Sequence, residues 1–428
     1  MIQTVENIGE KLVSMLTYDA SQPLIFSSGL FLFLFAGFLF FYGFTRRAPM
    51  ARIVYVILFS LYFYYKSSGI YFLLLVFASV SDYWIAHAIY KVRTQRAKYW
   101  LVGLSVLVNL GMLGYFKYTN FLIEIANNLF GQGFLNFQNI FLPVGISFFV
   151  FQSMSYTIDI CRGQLKPLNN WADYLFYLSF FPQLVAGPIV RAKDFIPQIR
   201  QNPLRVTREM FGMGVFLILI GLFKKAVISD YISLNFVDRI FDEPLLYSGF
   251  ECLMGIYGYA LQIYCDFSGY SDMAIGIALL LGFRFPKNFD APYKSATITE
   301  FWRRWHISLS SWFRDYVYIP LGGSREGKAR TYLNLLAVWV LTGLWHGSTL
   351  NFLLWGLFLF ALIALERAGW GRVLDKSRVL SRVYMVLMIP LSWLLFAIPS
   401  VGRIGVYLGR LFPIVSRGVA VNAGDWLQ

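Results

Sequence analysis

The chain has 428 residues, of which 57% are hydrophobic and only 14% are charged, against roughly 25% charged residues in an ordinary soluble protein. This composition excludes a soluble globular protein. Because apolar runs long enough to cross a bilayer recur along the chain, we expect an all-α polytopic membrane protein with about ten or eleven crossings. No polar segment is long enough for a soluble domain, so residues 1–428 are expected to form one membrane-embedded domain.

The net charge of +14 has a simple explanation in a membrane protein, because cytoplasmic loops are rich in lysine and arginine. Nucleic acid is therefore not expected as a partner. The loop Asp230–Glu243 and the N-terminal segment are acidic, and they alternate along the chain with the basic loops. This alternation predicts that the N-terminus lies outside and that the basic loops lie in the cytoplasm. The basic clusters are Arg46–Arg52, Lys91–Lys98, Arg191–Arg208, Arg303–Arg330 and Arg367–Arg382.

In chain order, the first predicted membrane helix is Leu24–Phe44, and Tyr71–Ile89 is another. The second carries His87, one of only three histidines, which we interpret as an interfacial residue beside an aromatic belt. The run FFPQLVAGPIVR follows at 180–191 and contains two prolines and a glycine. It cannot be a regular helix throughout, and it is typical of a kinked or re-entrant segment that lines a cavity.

A polar stripe interrupts the apolar helix predicted around residues 251–282. Gln262, Asp266 and Gly269 stand at i, i+4 and i+7, so they share one face of a helix. Polar groups within a membrane helix face the protein interior. They either make hydrogen bonds between helices or support a functional site, and the sequence leaves both interpretations open.

The segment after Thr297 is predicted to be one amphipathic helix, with Thr297 as its N-cap and Glu300 completing a capping box. At about 100° per residue, its aromatic face would be buried and would direct His306 inward, while the helix lies along or dips into the membrane. The aromatic face comprises Trp302, Trp305, His306, Leu309, Trp312, Phe313 and Tyr316. The polar face comprises Arg303, Arg304, Ser308, Ser310, Ser311, Arg314 and Asp315.

His306 and His346 are the candidate functional residues. His306 is either a histidine satisfied within the core or a site residue, and its aromatic neighbours and the adjacent arginine pair favour the site. His346 ends the predicted helix Thr331–His346, on the side that also carries Thr342. It could act as a general base toward a hydroxyl, or serve packing or a proton relay. Gly347 after it would permit a close approach to the backbone.

Several chemistries have no support in the sequence. There is no phosphate-binding loop, no dinucleotide-binding glycine motif and no paired-cysteine or histidine metal motif. The three cysteines, Cys161, Cys252 and Cys265, lack metal-ligand spacing. We therefore expect no metal and no tightly bound cofactor.

Five segments together resemble the membrane-bound O-acyltransferase superfamily, and within it the branch of bacterial alginate O-acetyltransferase membrane subunits. The resemblance covers about 142–355. The segments are FFPQLVAGPIVR, YCDFSGYSDMAIG, FPKNFDAPY, ITEFWRRWHISLSSWFRDYVYIPLGGSR and LTGLWHG.

The resemblance implies a ring of tilted helices around a central funnel or tunnel, in a bacterial inner membrane. His346 would be the catalytic histidine, and His306 would hold the acyl group or orient the reacting atoms. The donor would be acetyl-CoA from the cytoplasm, and the acceptor an exported polysaccharide reached with a periplasmic or extracellular hydrolase-like partner. The residues expected to line or support the tunnel are Trp302, Arg303, Arg304, Trp305, Asp315, Thr342, Trp345, Gly347, Gln262 and Asp266.

Two other functions stay open at this stage. A neighbouring branch of the same superfamily transfers D-alanine to teichoic acid from an acyl-carrier protein. A protein of another class, a proton-coupled transporter, could use His306 and His346 as a relay. The absence of an internal repeat, and of carboxylates beside either histidine, argues against the transporter.

Overall fold

A computed structural model describes residues 10–11, 13–45, 47–201 and 205–411, and the regular structure of these residues is helical throughout. The α-helices are α1 (Gly29–Tyr42), α2 (Pro49–Ser68), α3 (Phe72–Lys91), α4 (Gln95–Phe130), α5 (Ile146–Cys161), α6 (Trp171–Ser179), α7 (Phe181–Leu184), α8 (Ala192–Ile199), α9 (Arg208–Leu222), α10 (Asp230–Ile232), α11 (Asp238–Asp242), α12 (Gly249–Leu280), α13 (Ile298–Arg304), α14 (Ile307–Phe313), α15 (Lys328–His346), α16 (Leu350–Leu365), α17 (Gly371–Lys376), α18 (Arg378–Ala397) and α19 (Val401–Leu411). Short π-helical segments cover Phe223–Ser229, Ser233–Val237, Arg314–Tyr318 and Glu366–Trp370.

Five helical segments of the described chain are long and apolar enough to cross a membrane. They confirm the prediction of an all-α polytopic membrane protein. Their number is judged by length and composition alone, so the total of about ten or eleven crossings stays a prediction. The five are Pro49–Lys91, Gln95–Phe130, Arg208–Asp242, Leu350–Lys376 and Arg378–Ala397, and Gly29–Thr45 is a shorter apolar helix.

The chain divides into two compact units, and the prediction of a single domain stays untested. The first unit contains the residues up to Leu219 together with Asp272–Pro286. Its buried residues include a carboxylate, Asp82 on α3, which accepts hydrogen bonds from Ser105 and Asn109 on α4, each at 2.6 Å, and from Ser153 on α5. The hydroxyl of Tyr174 on α6 lies 2.8 Å from that of Ser153, so the network joins four helices.

The proline- and glycine-containing run of the first unit is irregular, as predicted. The short helix α7 ends at Leu184, and α8 begins only at Ala192. A Cβ atom on Gly187 would lie 2.6 Å from the carbonyl oxygen of Pro182, so the chain folds back on itself too tightly for a side chain there.

The second unit contains Ile220–Ser271 and the described residues from Lys287 onward. Within it, α15 and α16 pack backbone to backbone through glycines, as is common in membrane helices. A Cβ atom would lie 2.4 Å from the carbonyl oxygen of Trp339 at Gly356, and 2.5 Å from that of Phe352 at Gly343. This close packing fixes the C-terminal end of α15, where His346 lies.

The prediction of one continuous helix after Thr297 is wrong. Helix α13 ends at Arg304, and His306 has the left-handed conformation (φ 44°, ψ 54°) from which α14 starts in a new direction. The segment at 288–290 takes over backbone bonds that an unbroken helix would make internally. The amide of Ile307 donates to the carbonyl of Asn288, and the carbonyl of Arg304 accepts from Asp290, both at 2.9 Å.

The start of this segment and the burial of its aromatic face were predicted correctly, but Ser308, which was predicted on the polar face, is only 6% exposed. Thr297 is the N-cap, and its hydroxyl accepts from the amide of Glu300 at 3.0 Å. The carboxylate of Glu300 accepts from the amide of Ala296, one residue earlier than in a standard capping box. The predicted aromatic face is buried from Trp302 to Phe313, and Tyr316 is half-buried, because tertiary contacts preserve the face across the break.

Candidate active site

His306 lies at the break between α13 and α14, and its side chain is 1% exposed. A left-handed conformation is unusual for a residue with a Cβ atom and persists only where its surroundings enforce it. The imidazole stands edge-on to the ring of Phe267, with centroids 4.6 Å apart, and 5.9 Å from the ring of Trp345. The break therefore places the imidazole in an aromatic environment.

One amide meets this imidazole from the neighbouring segment. Oδ1 of Asn288 lies 3.2 Å from Nδ1 of His306, and it also accepts from the backbone amide and the hydroxyl of Ser308 at 3.2 and 2.9 Å. Nδ2 of Asn288 donates to the hydroxyl of Ser271 at 3.1 Å. Asn288 was not among the predicted site residues, yet its amide oxygen contacts both His306 and Ser308.

Burial lowers the pKa of His306 to about 3, because a charged imidazole would lose its hydration in this environment. The group is therefore neutral near pH 7. A neutral imidazole has one nitrogen that donates and one that accepts a hydrogen bond, so it can orient or receive a proton.

His346 is the last residue of α15 and is half-buried. Its ring lies edge-on to those of Trp345 and Trp355, both with centroids 4.9 Å away, and to that of Phe396 at 5.3 Å. Because the ring of Trp345 also contacts His306, one indole lies against both imidazoles. The structure thus brings together two histidines that are far apart in sequence.

The residues around His346 explain its position. Gly347 is buried, and a Cβ atom there would lie 2.0 Å from the ring of Phe352, which confirms the predicted close approach. Thr342 is buried one turn earlier, where its hydroxyl donates to the backbone carbonyl of Val338 at 2.7 Å. Thr342 therefore packs within α15.

Three buried tryptophans pack together beside His346, and the indole N–H groups of Trp302 and Trp355 have no hydrogen-bond partner in the described part of the chain. Trp302 is 8% exposed, Trp355 is fully buried and Trp393 is 1% exposed. Their ring centroids lie 5.5 to 6.3 Å from one another. Since a buried donor without an acceptor is costly, these groups fit a site that receives an acceptor atom from a ligand.

The other predicted residues near α13 lie at different depths. Trp305 is buried and stacks on Phe301, with ring centroids 5.5 Å apart. Arg304 forms an ion pair with Glu300 at 2.8 Å, whereas Arg303 is exposed. Asp315 lies in the π-helical segment after α14 and pairs with its neighbour Arg314 at 2.7 Å. These charged residues are less buried than the aromatic residues around them in the sequence.

The polar stripe of α12 joins helices. Asp266 forms an ion pair with Lys225 at 2.6 Å, and Nε2 of Gln262 donates to the hydroxyl of Ser233 at 2.9 Å. A Cβ atom on Gly269 would lie 2.8 Å from the carbonyl oxygen of Gly221. These contacts favour the helix-to-helix interpretation, with the stripe facing residues 221–233.

Glu366 is a further residue that the sequence reasoning missed. Its buried carboxylate accepts from the backbone amides of Ile298 and Thr299, at 2.6 and 3.0 Å, and so caps the N-terminus of α13. A lone carboxylate at the end of the apolar run 350–365 was its only signal in the sequence. Asn288 had a different signal, because it lies within the resemblance segment FPKNFDAPY.

Two further predictions concern metal binding and His87. Among the described residues, no group of three or more His, Cys, Asp or Glu side chains could hold a metal ion. His87 lies on α3, where Nδ1 is 2.9 Å from the carbonyl oxygen of Tyr83. Its interpretation as an interfacial residue stays a prediction.

Comparison with known proteins gives the family. Residues 164–401 match the model of the MBOAT, membrane-bound O-acyltransferase family. The chain is 41% identical to the probable alginate O-acetylase AlgI of Azotobacter vinelandii, over 87% of this chain and 75% of that protein. It is 36% identical to the peptidoglycan O-acetyltransferase of Helicobacter pylori, over 81% of this chain and 71% of that protein.

A more distant relative marks the neighbouring branch. The chain is 29% identical to the teichoic acid D-alanyltransferase of Bacillus subtilis, over 52% of this chain and 58% of that protein. The matched region 164–401 contains both histidines, Asn288 and the tryptophan cluster. Because this family model and these relatives match it, and because it has five long apolar helical segments, the chain belongs to the membrane-bound O-acyltransferase family and is a multi-pass membrane acyltransferase.

Proposed function

We propose that this protein transfers an acetyl group from cytoplasmic acetyl-CoA toward hydroxyl groups of an exported polysaccharide, with His346 as general base. The observation that carries the proposal is the contact of both imidazoles with the ring of Trp345. One imidazole in an aromatic, water-poor setting can take a proton from a hydroxyl, and a second one nearby can orient the reacting atoms.

The reaction would proceed as an acyl transfer. The hydroxyl oxygen attacks the thioester carbonyl carbon as the imidazole of His346 takes the hydroxyl proton. A C–O bond forms, the C–S bond breaks, and the proton passes to the departing thiolate, which leaves an acetyl ester and free CoA thiol. His306, neutral because burial lowers its pKa, would orient the reacting atoms.

The tryptophans supply a second element of this chemistry. Negative charge develops on the carbonyl oxygen during attack, and donors held in place beforehand stabilise it in a water-poor site. The buried indole N–H groups of Trp302 and Trp355 are donors of this kind, and the ring of Trp355 contacts that of His346. We assign Trp355 the leading role among them because of this contact.

The charge pattern supports a cytoplasmic donor. Arg303 is exposed beside the aromatic cluster, and further basic residues follow as far as Arg330. Arginine and lysine suit the phosphates of CoA. In a bacterial inner membrane, the charge pattern would put the basic loops in the cytoplasm and the N-terminus outside. The acetyl group would then move outward across the membrane. A periplasmic or extracellular hydrolase-like partner would complete its transfer.

The acceptor class rests on the relatives. Those with the higher identities are named for O-acetylation of alginate and of peptidoglycan, which are both glycan polymers. The D-alanyltransferase relatives match at lower identity and over a smaller share of the chain. We therefore rank D-alanyl transfer from an acyl-carrier protein second, and the family assignment removes the transporter alternative.

The test uses purified protein in nanodiscs with radiolabelled acetyl-CoA, and it compares wild type with His346→Gln and with His87→Gln as a matched control. We expect histidine-dependent CoA release and label transfer, with a loss of at least about a hundredfold for His346→Gln and near-normal rates for His87→Gln. Near-normal turnover in folded His346→Gln would refute the assignment of the base.

A second arm of the same test addresses the donor. Wild-type protein that is folded but inactive with acetyl-CoA would be offered an acyl-carrier protein charged with D-alanine. Transfer in that arm alone would replace the acetyl proposal by the D-alanyl one. Turnover with acetyl-CoA but not with the carrier would exclude the alternative.

A further inference from the structure

We propose that Asn288 is a positioning residue that holds His306 as the tautomer with its proton on Nδ1, so that Nε2 carries the lone pair. In a neutral imidazole only one of the two nitrogens bears hydrogen. The hydrogen-bond partners of the two nitrogens decide which one it is. The inference concerns the resting protein. Only its catalytic consequence rests on the proposed function.

The orientation of the Asn288 amide follows from a backbone group. Oxygen and nitrogen of an amide side chain must be assigned from their partners. The backbone N–H of Ser308 can only donate, and it lies 3.2 Å from the atom that also faces His306. That atom is therefore the oxygen, Oδ1, since a flipped amide would set its NH2 group against the N–H of Ser308.

The amide oxygen then determines the tautomer of His306. Oδ1 of Asn288 can only accept, so Nδ1 of His306, 3.2 Å away, must be the nitrogen that bears the proton. The hydroxyl of Ser308 could also donate to Nδ1, because it lies 3.4 Å from that nitrogen. Its distance to Oδ1 is shorter, at 2.9 Å, so its proton is directed to the amide oxygen.

Asn288 is held firmly enough for this role. It is 1% exposed, its Nδ2 donates to Ser271 at 3.1 Å, and its backbone carbonyl accepts from Ile307 at 2.9 Å. The side chain of Asn288 is thereby bound to α12, and its backbone to the first residue of α14. The same residue thus shapes the break that positions His306 and selects its proton-bearing nitrogen.

The tautomer determines what His306 can do. With its lone pair on Nε2, the neutral ring can accept a hydrogen bond from a hydroxyl or a thiol, but it cannot donate one to the acyl carbonyl through that nitrogen. Stabilisation of the carbonyl oxygen would then fall to the indole N–H groups. This sharpens the proposed function, in which His306 orients the reacting atoms.

The test reads the tautomer directly, without substrate. The protein has only three histidines, so nitrogen NMR of ¹⁵N-histidine-labelled protein gives few signals, and His306→Gln identifies those of His306. We expect protonated Nδ1 and unprotonated Nε2 for His306 in the wild type. His87, whose Nδ1 faces a backbone carbonyl, provides an internal reference for the same tautomer.

Two variants of Asn288 and one of Ser308 separate the contributions. Asn288→Asp keeps an acceptor and should keep the proton on Nδ1. Asn288→Leu removes it and should move part of the population to the Nε2–H form, with a loss of turnover of at least about tenfold. Ser308→Ala keeps the backbone donor, so it should leave the tautomer unchanged.

The inference fails if wild-type His306 carries its proton on Nε2, a result that needs no variant to fold. It also fails if Ser308→Ala, rather than Asn288→Leu, shifts the tautomer. Because the spectra are recorded without substrate, they stand apart from the activity assay. An Nδ1–H signal together with normal turnover of His306→Gln would retain the inference and contradict the catalytic role.

Discussion

Asp82 in the first unit and His306 in the second are both almost completely buried, but their surroundings differ. The carboxylate of Asp82 accepts hydrogen bonds from three side chains on two other helices. The ring of His306 has the amide oxygen of Asn288 and the hydroxyl of Ser308 near Nδ1, and aromatic rings around it. The first arrangement is typical of a network that specifies helix packing, and the second of an imidazole held ready for chemistry.

Asp82→Ala tests the structural side of this comparison and has the largest expected effect on stability. It would leave the buried donors of Ser105, Asn109 and Ser153 without their acceptor, at a cost on the order of 3 kcal/mol or more. We expect poor yield or a strongly lowered melting temperature of the purified protein. Turnover per folded molecule should stay near normal. A stable but inactive Asp82→Ala protein would show that this network serves catalysis.

Trp355→Phe tests the chemical side. It keeps an aromatic ring against His346 but removes the indole N–H, so it should lower kcat by about tenfold to a hundredfold with little change in KM. The matched control is Trp171→Phe in the first unit, whose indole N–H donates to Ser79 at 3.2 Å. Michaelis–Menten kinetics of both variants measure kcat and KM separately and so test whether the indole N–H of Trp355 acts in the reaction. Equal effects would exclude an oxyanion role for Trp355.

Gly347→Ala tests how strictly the second unit fixes His346. The added Cβ would lie 2.0 Å from the ring of Phe352, so either the ring or the end of α15 must move. We expect a loss of activity of about tenfold, together with a lower melting temperature. Gly111→Ala on α4 meets nothing within 4 Å and should be neutral or slightly stabilising. Normal activity of Gly347→Ala would mean that the site tolerates displacement.

The pH dependence of stability gives the smallest effect. Burial lowers the pKa of His306 to about 3, whereas an unfolded histidine titrates near 6.5. As pH falls below 6.5, the unfolded chain binds a proton that the folded one does not, so stability decreases. Between pH 7.5 and 5.5 the wild type should lose roughly 1 kcal/mol more than His306→Gln. Thermal unfolding at both pH values measures this, and parallel curves would contradict a neutral buried imidazole.

Different features of the sequence had different predictive power. Apolar runs predicted the membrane helices, because a bilayer imposes length and hydrophobicity on each segment independently. The aromatic face from Trp302 to Phe313 was predicted to be buried, and its residues are. The helix break at His306 could not be predicted, because its cause is a backbone exchange with residues 288–290.

The sequence by itself therefore determined the class of the protein, the two candidate histidines and the resemblance to its family. Only the tertiary structure decided that Trp345 lies against both imidazoles, that Asn288 is a polar partner of His306, and that the stripe of Gln262 and Asp266 joins helices. The physical reason is the range of the interactions. Hydrophobicity and capping are local properties of the chain, whereas a hydrogen bond to a buried side chain depends on segments that only folding brings together.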